Sequence, residues 1–330
     1  MTLLPVRNTL CSMNFFLQYP SWIRPEIIPS LPFRWYGLMY VIAFALTYGM
    51  VLVQVKRHEI SLTREDVDDL FVKCILCLLI GARVFSQLVY EGSFYNWTHP
   101  WMIFWPFSNG RFVGLAGMSY HGGVIGAVCG VLWFARKHKS SFFECADALC
   151  CSVPLGYTFG RLGNFINGEL YGRVSTKPWA MVFPDAPSFS TNYHWVRQIA
   201  DKLQISYTSG SLVNLPRHPS QLYEALFEGL VLFCIIWFIL RPMRHRKPEG
   251  FIFGWYLIGY GLIRFVLEYF RAPDANLGYI IKWGEESDNI AIFQSLLNIS
   301  LGQILCFCMI ITGTIIIIIR SKEKQKNDHR

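Results

Sequence analysis

The chain is 330 residues long, 53% hydrophobic and only 16% charged, whereas charged residues make up about 25% of a typical soluble domain. This balance favours a membrane protein, and the eleven Trp, sixteen Tyr and twenty-six Phe suit aromatic belts at the two membrane surfaces. The net charge of +8 does not predict nucleic-acid binding, because the basic residues lie in short clusters between apolar runs.

Seven apolar stretches are long enough to cross a bilayer, which requires about 20 helical residues each. They cover residues 34–55, 70–90, 112–134, 145–166, 219–240, 251–271 and 299–319. Charges and prolines interrupt the segment before the first stretch, so we expect no cleavable signal peptide there. The predicted fold is an all-α polytopic membrane protein with seven transmembrane helices. Its predicted parts are an N-terminal segment 1–33, a membrane domain 34–319 and a basic tail 320–330.

Basic residues are concentrated in the loops on one side of these spans. That side holds Lys56, Arg57, Arg64, Arg136, Lys137, Lys139, Arg241, Arg244, Arg246, Lys247, Arg320, Lys322, Lys324, Lys326 and Arg330. Cytoplasmic loops carry the excess of lysine and arginine, so we predict an extracytoplasmic N-terminus and a cytoplasmic C-terminus. The longest loop, 167–218, then forms a small extracytoplasmic head. A second outer loop, 272–298, carries the acidic residues Asp274, Glu285, Glu286 and Asp288.

The ten cysteines are expected to be chemically inert. Cysteine behaves as a small hydrophobe inside apolar runs, and no cysteine spacing beside histidines predicts a zinc site. We therefore expect neither a metal nor a cofactor. The cysteines in apolar runs are Cys74, Cys77, Cys129, Cys150, Cys151, Cys234, Cys306 and Cys308.

Apart from Arg34 and Arg271 at span ends, four basic residues fall inside predicted spans: Lys73, Arg83, Arg161 and Arg264. Lys73 lies near the cytoplasmic end of its span, where a long side chain can reach the interface. A charge near the bilayer centre costs about 3 kcal/mol on insertion scales, so the three arginines indicate function. The predicted topology brings them to the outer half of the bundle. The same level receives His121, Tyr36, Gln221, Tyr223 and Glu224.

The sixth span carries polar residues on one helix face. Tyr260, Arg264, Glu268 and Arg271 recur at i, i+4, i+8 and i+11, which predicts a polar cavity or a paired network inside the bundle.

Glycines and asparagines add two local expectations. Gly122 and Gly123 are expected to leave space beside His121 for a bulky ligand, while Gly156 and Gly160 are expected to allow close helix packing. The polar run 163–169 is unsuited to face lipid and offers donors and acceptors to a lipid head group.

Residues 160–173 read GRLGNFINGELYGR and resemble the signature of the bacterial prolipoprotein diacylglyceryl transferases. Four further segments resemble the same family and occur in its order. They are WYGLMY at 35–40, HGG at 121–123, HPSQLYE at 218–224, and RFVLEYFR at 264–271 followed by Pro273 and Asp274.

The resemblance implies a seven-span enzyme of the bacterial inner membrane whose active site faces the outer leaflet. Its implied partners are phosphatidylglycerol, the lipobox peptides of preprolipoproteins and membrane lipids. The implied reaction transfers diacylglycerol from phosphatidylglycerol to the lipobox cysteine, forming a thioether and releasing glycerol phosphate. Matched by motif, the residues important for activity are Arg161, Arg264, His121, Tyr36, Asn164, Glu169, Gly172, Tyr260 and Glu268.

The chemistry of this reaction suggests roles for these residues. We hypothesise that Arg161 and Arg264 clamp the phosphate, because a guanidinium binds phosphate with two parallel hydrogen bonds and stays protonated. His121 is a candidate general base, or it positions the lipid head group or the neighbouring tyrosines. Glu268 either takes part in the reaction or pairs with Arg264 or Arg271.

The remaining matched residues suit contacts to the substrate. Tyr36 and Tyr260 could donate hydrogen bonds to phosphate or glycerol oxygens, whereas Asn164 and Glu169 suit holding the loop and the head group.

Two other classes of membrane protein are weighed against the transferase. A transporter for an anionic solute would use buried arginines, but it needs groups accessible from both sides and commonly has an inverted repeat, which this sequence does not display. An intramembrane protease needs a serine–histidine pair or paired aspartates, and the predicted spans contain neither pairing.

Overall fold

The computed structural model describes residues 16–28, 34–90, 98–105, 107–108, 111–112, 117–272, 278–284 and 291–328. Most of this part of the chain is helical, as predicted. Several predicted features lie outside these ranges. They are Pro273, Asp274, Glu285, Glu286, Asp288, Arg330 and the N-terminal stretches 1–15 and 29–33.

The helices are α1 (Trp35–Lys56), α2 (Arg64–Phe85), α3 (Tyr120–His138), α4 (Phe142–Cys150), α5 (Val153–Ile166), α6 (His194–Lys202), α7 (Ser220–Arg246), α8 (Phe251–Leu267) and α9 (Leu301–Asp328). A π-helical turn at Ser86–Tyr90 continues α2, and a 3-10 helix covers Pro100–Phe104. By length and composition, α1, α7 and α9 can cross a membrane, while α8 is apolar but shorter.

Local capping explains where the helices differ from the predicted spans. The third span is predicted from residue 112, but α3 begins at Tyr120, because the Ser119 hydroxyl accepts a hydrogen bond from the Gly122 N–H and caps the helix. The fourth span is predicted as one helix, but Cys151 and Ser152 separate α4 from α5. Pro154 then lies in the first turn of α5, where its missing N–H is tolerated.

Short strands form two-stranded sheets. In chain order they are β1 (Leu17–Gln18), β2 (Phe107–Ser108), β3 (Arg111–Phe112), β4 (Met181–Val182), β5 (Phe189–Ser190), β6 (Leu212–Val213), β7 (Tyr279–Lys282) and β8 (Asn298–Ser300). β1 pairs in parallel with β4, and the antiparallel pairs are β2 with β3, β5 with β6, and β7 with β8. The segment 167–218, predicted as a head, therefore contains strands in addition to α6.

The chain divides into two compact units. The first unit comprises Met1–Ala43, Tyr157–Val231 and Gly259–Ile310. The second unit comprises Phe44–Gly156, Leu232–Ile258 and Ile311–Arg330.

Within the first unit, the segment 167–218 has an apolar core of its own. Its buried members are Val174, Val196, Ala200, Val213 and Leu215. Arg217 is also buried, and its guanidinium carbon lies 5.0 Å from the ring centroids of both Tyr171 and Phe189. Stacking on aromatic faces stabilises a cation that has left water.

Within the second unit, glycines allow α2 and α3 to touch along their backbones. A Cβ atom on Gly122 would overlap the carbonyl oxygen of Gly81, and one on Gly126 would overlap the carbonyl oxygen of Cys77. The ligand space predicted beside His121 is therefore wrong at Gly122, because the neighbouring helix fills it. The prediction of close packing at Gly160, in the first unit, is also wrong, because a Cβ atom there would meet nothing within 4 Å.

Gly126→Ala is expected to destabilise the protein by about 3 kcal/mol, because the new methyl group would meet backbone atoms that cannot move aside alone. Gly49→Ala is the matched control, since a Cβ atom there meets nothing within 4 Å and alanine favours the helix. Thermal unfolding in detergent measures both variants. Equal melting temperatures for the two variants would contradict the close packing of α2 on α3.

Three charged residues in the second unit have local partners. Lys73 is 4% exposed, pairs with Asp69 and lies 5.2 Å from the Trp133 ring centroid. Arg83 donates to the carbonyl oxygens of Ile103 and Gly117. The buried Asp147 accepts hydrogen bonds from the backbone N–H of Gly250, directly before α8, and from that of Phe253 in its first turn, at 2.9 and 2.8 Å. All three contacts are structural.

Candidate active site

A buried carboxylate on α7 joins three arginines in the first unit. The Glu224 side chain is 1% exposed, and its Oε2 lies 2.8 Å from Nε of Arg161. Its Oε1 lies 3.2 Å from Nη1 of Arg264 and 3.5 Å from Nη1 of Arg271. The arginines predicted to converge from the fourth and sixth spans therefore meet on one carboxylate of the fifth.

Close helix contact makes this meeting possible. A Cβ atom on Gly229 would overlap Oγ1 of Thr158, so α7 lies directly against α5 at this level. Thr158 also donates to the carbonyl oxygen of Ala225 at 3.3 Å. The helix is π-helical from Ala225 to Val231, and such local widening is frequent at functional sites.

Arg264 is held by three carboxylates. Its Nη1 lies 3.2 Å from Glu224 and 3.5 Å from Glu228, and its Nη2 donates to Glu268 at 2.7 Å. Glu268 also accepts a hydrogen bond from the Ser300 hydroxyl at 3.0 Å. Of the alternatives predicted for Glu268, pairing with Arg264 is the contact that the structure contains.

Arg161 has hydrogen-bond partners at its Nε and Nη1 atoms. Its Nε donates to the Tyr157 hydroxyl at 2.7 Å, and its Nη1 donates to Oδ1 of Asn164 at 3.3 Å. Among the described residues, Nη2 has no protein hydrogen-bond partner. The Arg161 side chain is 14% exposed, so this guanidinium can still bind an anion.

Charge is balanced inside this network. Three guanidinium groups, of Arg161, Arg264 and Arg271, face three carboxylates, of Glu224, Glu228 and Glu268. Taking unpaired ions out of water would cost several kcal/mol each, so this pairing makes the cluster tolerable in an apolar interior.

The signature loop is fixed beside the network. Asn164 and Asn167 both donate to Oε1 of Glu169, at 3.0 and 3.3 Å. Gln221, at the start of α7, donates to the Glu169 carbonyl oxygen at 2.6 Å. The backbone N–H of Gly172 donates to the carbonyl oxygen of His218 at 2.8 Å.

Gly172 is required where it stands. A Cβ atom there would overlap the carbonyl oxygen of Phe270, and the Arg173 N–H donates to that same oxygen at 2.9 Å. The loop therefore contacts the backbone that follows α8, at the residue directly before Arg271.

The matched tyrosines also belong to the first unit. Tyr36 packs beside Gly163, and its hydroxyl lies 2.9 Å from that of Tyr40. The Tyr260 ring contacts the Tyr157 ring edge-on, with centroids 5.9 Å apart.

His121 and Arg83 lie in the second unit. The His121 ring is exposed near the start of α3, and its centroid lies 6.4 Å from that of Phe85. Hydrogen bonds and ion pairs through Glu224 and Gln221 link five predicted residues of the first unit: Arg161, Arg264, Asn164, Glu169 and Glu268.

Glu224 is predicted only to lie at the level of the site, and two members of the network, Tyr157 and Glu228, are not predicted at all. Tyr157 precedes Arg161 by one helical turn, and Glu228 follows Glu224 by four residues. These i, i+4 spacings could have indicated both residues, because each spacing places the residue on the same helix face as Arg161 or Glu224.

Among the described residues, no group of His, Cys, Asp and Glu could hold a metal ion. The cysteines in this part of the chain are free thiols.

His218, just before α7, is a neutral histidine. Burial and the nearby charges of Lys177 and Arg173 lower the pKa of His218 to about 4. Trp179 donates to the Tyr223 hydroxyl at 2.8 Å, so that hydroxyl can direct its own proton to Nδ1 of His218, 3.1 Å away. The ring proton is therefore assigned to Nε2.

This shift predicts a pH dependence of stability. Between pH 6.5 and about 4 the unfolded chain binds a proton on His218 that the folded chain excludes, so stability falls as the pH falls through this window. Thermal unfolding of wild type and His218→Gln across this range measures the effect. The wild type is expected to lose stability faster than the variant; parallel curves would contradict the assignment.

The fold and the site define a helical integral membrane protein with a buried arginine–glutamate network. The chain matches the family model for prolipoprotein diacylglyceryl transferase over residues 25–319. It is 48% identical to the phosphatidylglycerol–prolipoprotein diacylglyceryl transferase of Treponema denticola, covering 95% of this chain and 97% of the relative. The chain belongs to the prolipoprotein diacylglyceryl transferase family.

Other relatives carry the same name. The protein of Treponema pallidum is 50% identical, with 89% of this chain and 92% of the relative covered. That of Chlorobaculum tepidum is 39% identical, with 93% of each chain covered. The resemblance drawn from the signature is confirmed, and a transporter is not favoured.

Proposed function

We propose that this protein transfers the diacylglyceryl group of phosphatidylglycerol to the lipobox cysteine of a prolipoprotein. One observation carries the proposal: Arg161, whose Nη2 has no protein hydrogen-bond partner among the described residues, lies in the signature of a family named for this transfer. A guanidinium is the group that binds a phosphodiester best.

The proposed reaction makes one bond and breaks one. The cysteine sulfur attacks the glyceryl carbon that bears the phosphate oxygen, a carbon–sulfur bond forms, and the carbon–oxygen bond breaks. Glycerol phosphate leaves with the bonding electrons, and the thiol proton passes to a base or to the departing phosphate. The phosphate gains negative charge as the bond breaks, so fixed cations stabilise the transition state.

The two arginines have different proposed roles. Arg161 donates to the phosphate through its Nη atoms, because Tyr157 and Glu224 already occupy its Nε edge. Arg264 supplies positive charge at a fixed position, since carboxylates hold both of its Nη atoms. Before Arg264 can donate directly to the phosphate, its ion pair with Glu268 or with Glu224 must break.

The roles of the other matched residues rest on the family resemblance and on their contacts. Asn164 and Glu169 hold the signature loop, and Gly172 allows the loop to approach α8. Tyr36 and Tyr260 donate to phosphate or glycerol oxygens. His121 is kept as the candidate base or as a positioning residue. Glu268 orients Arg264.

The proposed location is the bacterial inner membrane, with the reaction at the outer leaflet. The apolar stretches support seven spans, and the loop charges support an extracytoplasmic N-terminus and a cytoplasmic C-terminus. This orientation would put the segment 167–218 outside the cell membrane, where the cysteine of an exported prolipoprotein arrives.

The test is transfer by the purified protein. It is incubated with phosphatidylglycerol and a synthetic lipobox peptide, and mass spectrometry follows the peptide. We expect the mass of one diacylglyceryl group on the cysteine and none on a peptide with serine in its place. An unmodified cysteine peptide, with intact protein and lipid, would refute the proposal.

A further inference from the structure

The hydroxyl of Tyr157 lies between the two arginines of the site. Tyr157 is on α5, one turn before Arg161, and the mechanism proposed above assigns it no task. Its oxygen accepts the Arg161 Nε–H at 2.7 Å, and it also contacts Glu228, whose carboxylate is 0% exposed.

The directions of these two hydrogen bonds are fixed by chemistry. A guanidinium can only donate and a carboxylate can only accept, so Tyr157 accepts from Arg161 and gives its single proton to Oε2 of Glu228. The other oxygen of Glu228 lies 3.5 Å from Nη1 of Arg264. We call this series of contacts the relay: two hydrogen bonds connect Arg161 through Tyr157 to Glu228, and an ion pair connects Glu228 to Arg264.

The ring of Tyr157 acts on the same guanidinium as its hydroxyl does. The guanidinium carbon of Arg161 lies 4.8 Å from the Tyr157 ring centroid, within the range of a cation–π contact. Tyr157 therefore contacts the Arg161 guanidinium in two ways, through a hydrogen bond to Nε and through its ring. The Nη2 atom has no protein hydrogen-bond partner among the described residues, so it is the part left to bind a ligand.

We propose that Tyr157, oriented by Glu228, is a positioning residue that fixes the guanidinium of Arg161 with its Nη edge towards the phosphate of the lipid donor. This inference rests on the proposed function. An arginine that is already fixed loses less rotamer freedom when it binds phosphate, so the lipid binds more tightly than it would to a mobile side chain.

Tyr157→Phe tests the proposal because it removes the hydroxyl and keeps the ring. The full-length protein in detergent is assayed with a short-chain phosphatidylglycerol and a lipobox peptide. Loss of a hydrogen bond to a charged group is expected to raise the KM for the lipid about tenfold. The KM for the peptide is expected to stay within about twofold, because the relay faces only the phosphate ligand.

Tyr48→Phe is the matched control. Its hydroxyl donates to Asp68 in the second unit, so the variant also loses one tyrosine–carboxylate hydrogen bond. Both KM values are expected to equal those of the wild type.

A double-mutant cycle shows whether Tyr157 acts through Arg161. Equilibrium binding of the same phosphatidylglycerol is measured for Tyr157→Phe, Arg161→Lys and the double variant. Lysine has no Nε–H for the hydroxyl to accept, so Tyr157→Phe is expected to change Kd by less than about twofold in the Arg161→Lys background.

The outcomes separate this inference from the proposed function. An active wild type with an unchanged lipid KM in Tyr157→Phe would overturn the positioning role, as would equal rises in both KM values. An inactive wild type would refute the proposed function, and the binding cycle would still test the relay.

A second variant covers the case in which Tyr157→Phe does not accumulate. Glu228→Gln keeps an oxygen that can accept from Tyr157, so the lipid KM is expected to rise only about threefold. A rise in the peptide KM in its place would overturn the proposal.

Discussion

Arg161→Lys is expected to lower kcat/KM for diacylglyceryl transfer by about 100-fold or more. Lysine keeps the positive charge but loses the planar fork. From its single nitrogen, lysine cannot reach Tyr157, Asn164 and a phosphate at the same time, whereas the three nitrogens of the guanidinium can. Steady-state kinetics with phosphatidylglycerol and a lipobox peptide measure the loss.

Arg320→Lys is the control for this substitution. Arg320 lies on α9 with partly exposed ion pairs to Glu249 and Glu323, so lysine can replace it with little loss. Its kcat/KM is expected to stay within about twofold of wild type. Near-normal transfer by Arg161→Lys would contradict a role for the planar guanidinium and would show that positive charge alone is sufficient.

Glu224→Ala is expected to destabilise the first unit by about 3 to 5 kcal/mol, because it leaves three arginines facing a buried site without their common partner. Glu224→Gln keeps the shape and an oxygen acceptor, so a smaller loss is expected. Thermal unfolding in detergent, together with the amount of protein accumulating in membranes, measures both.

Glu323→Ala controls for loss of any carboxylate that pairs with arginine. Its side chain is 53% exposed, and surface ion pairs contribute about 1 kcal/mol or less. Equal stability of Glu224→Ala and Glu323→Ala would show that the buried network does not hold the first unit together.

Part of the site follows from helix spacing alone. Arg264 lies in the last turn of α8 and Glu268 follows it by four residues, so the predicted helical spacing places them side by side, and the structure contains that ion pair. The contacts of Tyr157 with Glu228 could not be predicted, because they depend on which faces of α5 and α7 meet. Gly229 and Thr158 decide that register, and their contact is visible only in three dimensions.

Glycine spacing shows a second limit. Gly122, Gly126 and Gly130 recur every fourth residue on α3, which is typical of closely packed helices. The interpretation of Gly122 as space beside His121 is wrong because this spacing packs α3 against a neighbouring backbone. The partner backbone on α2, at Gly81 and Cys77, could not be identified from the sequence of α3.

The most direct test of the arginine site is a structure of the protein with phosphatidylglycerol bound. We expect a phosphate oxygen about 3 Å from the Nη atoms of Arg161, with its Nε still on Tyr157 and Glu224. The glyceryl carbon should then be open to attack from the side opposite the phosphate. A lipid phosphate bound elsewhere, with the arginine–glutamate network closed and unchanged, would contradict the assignment.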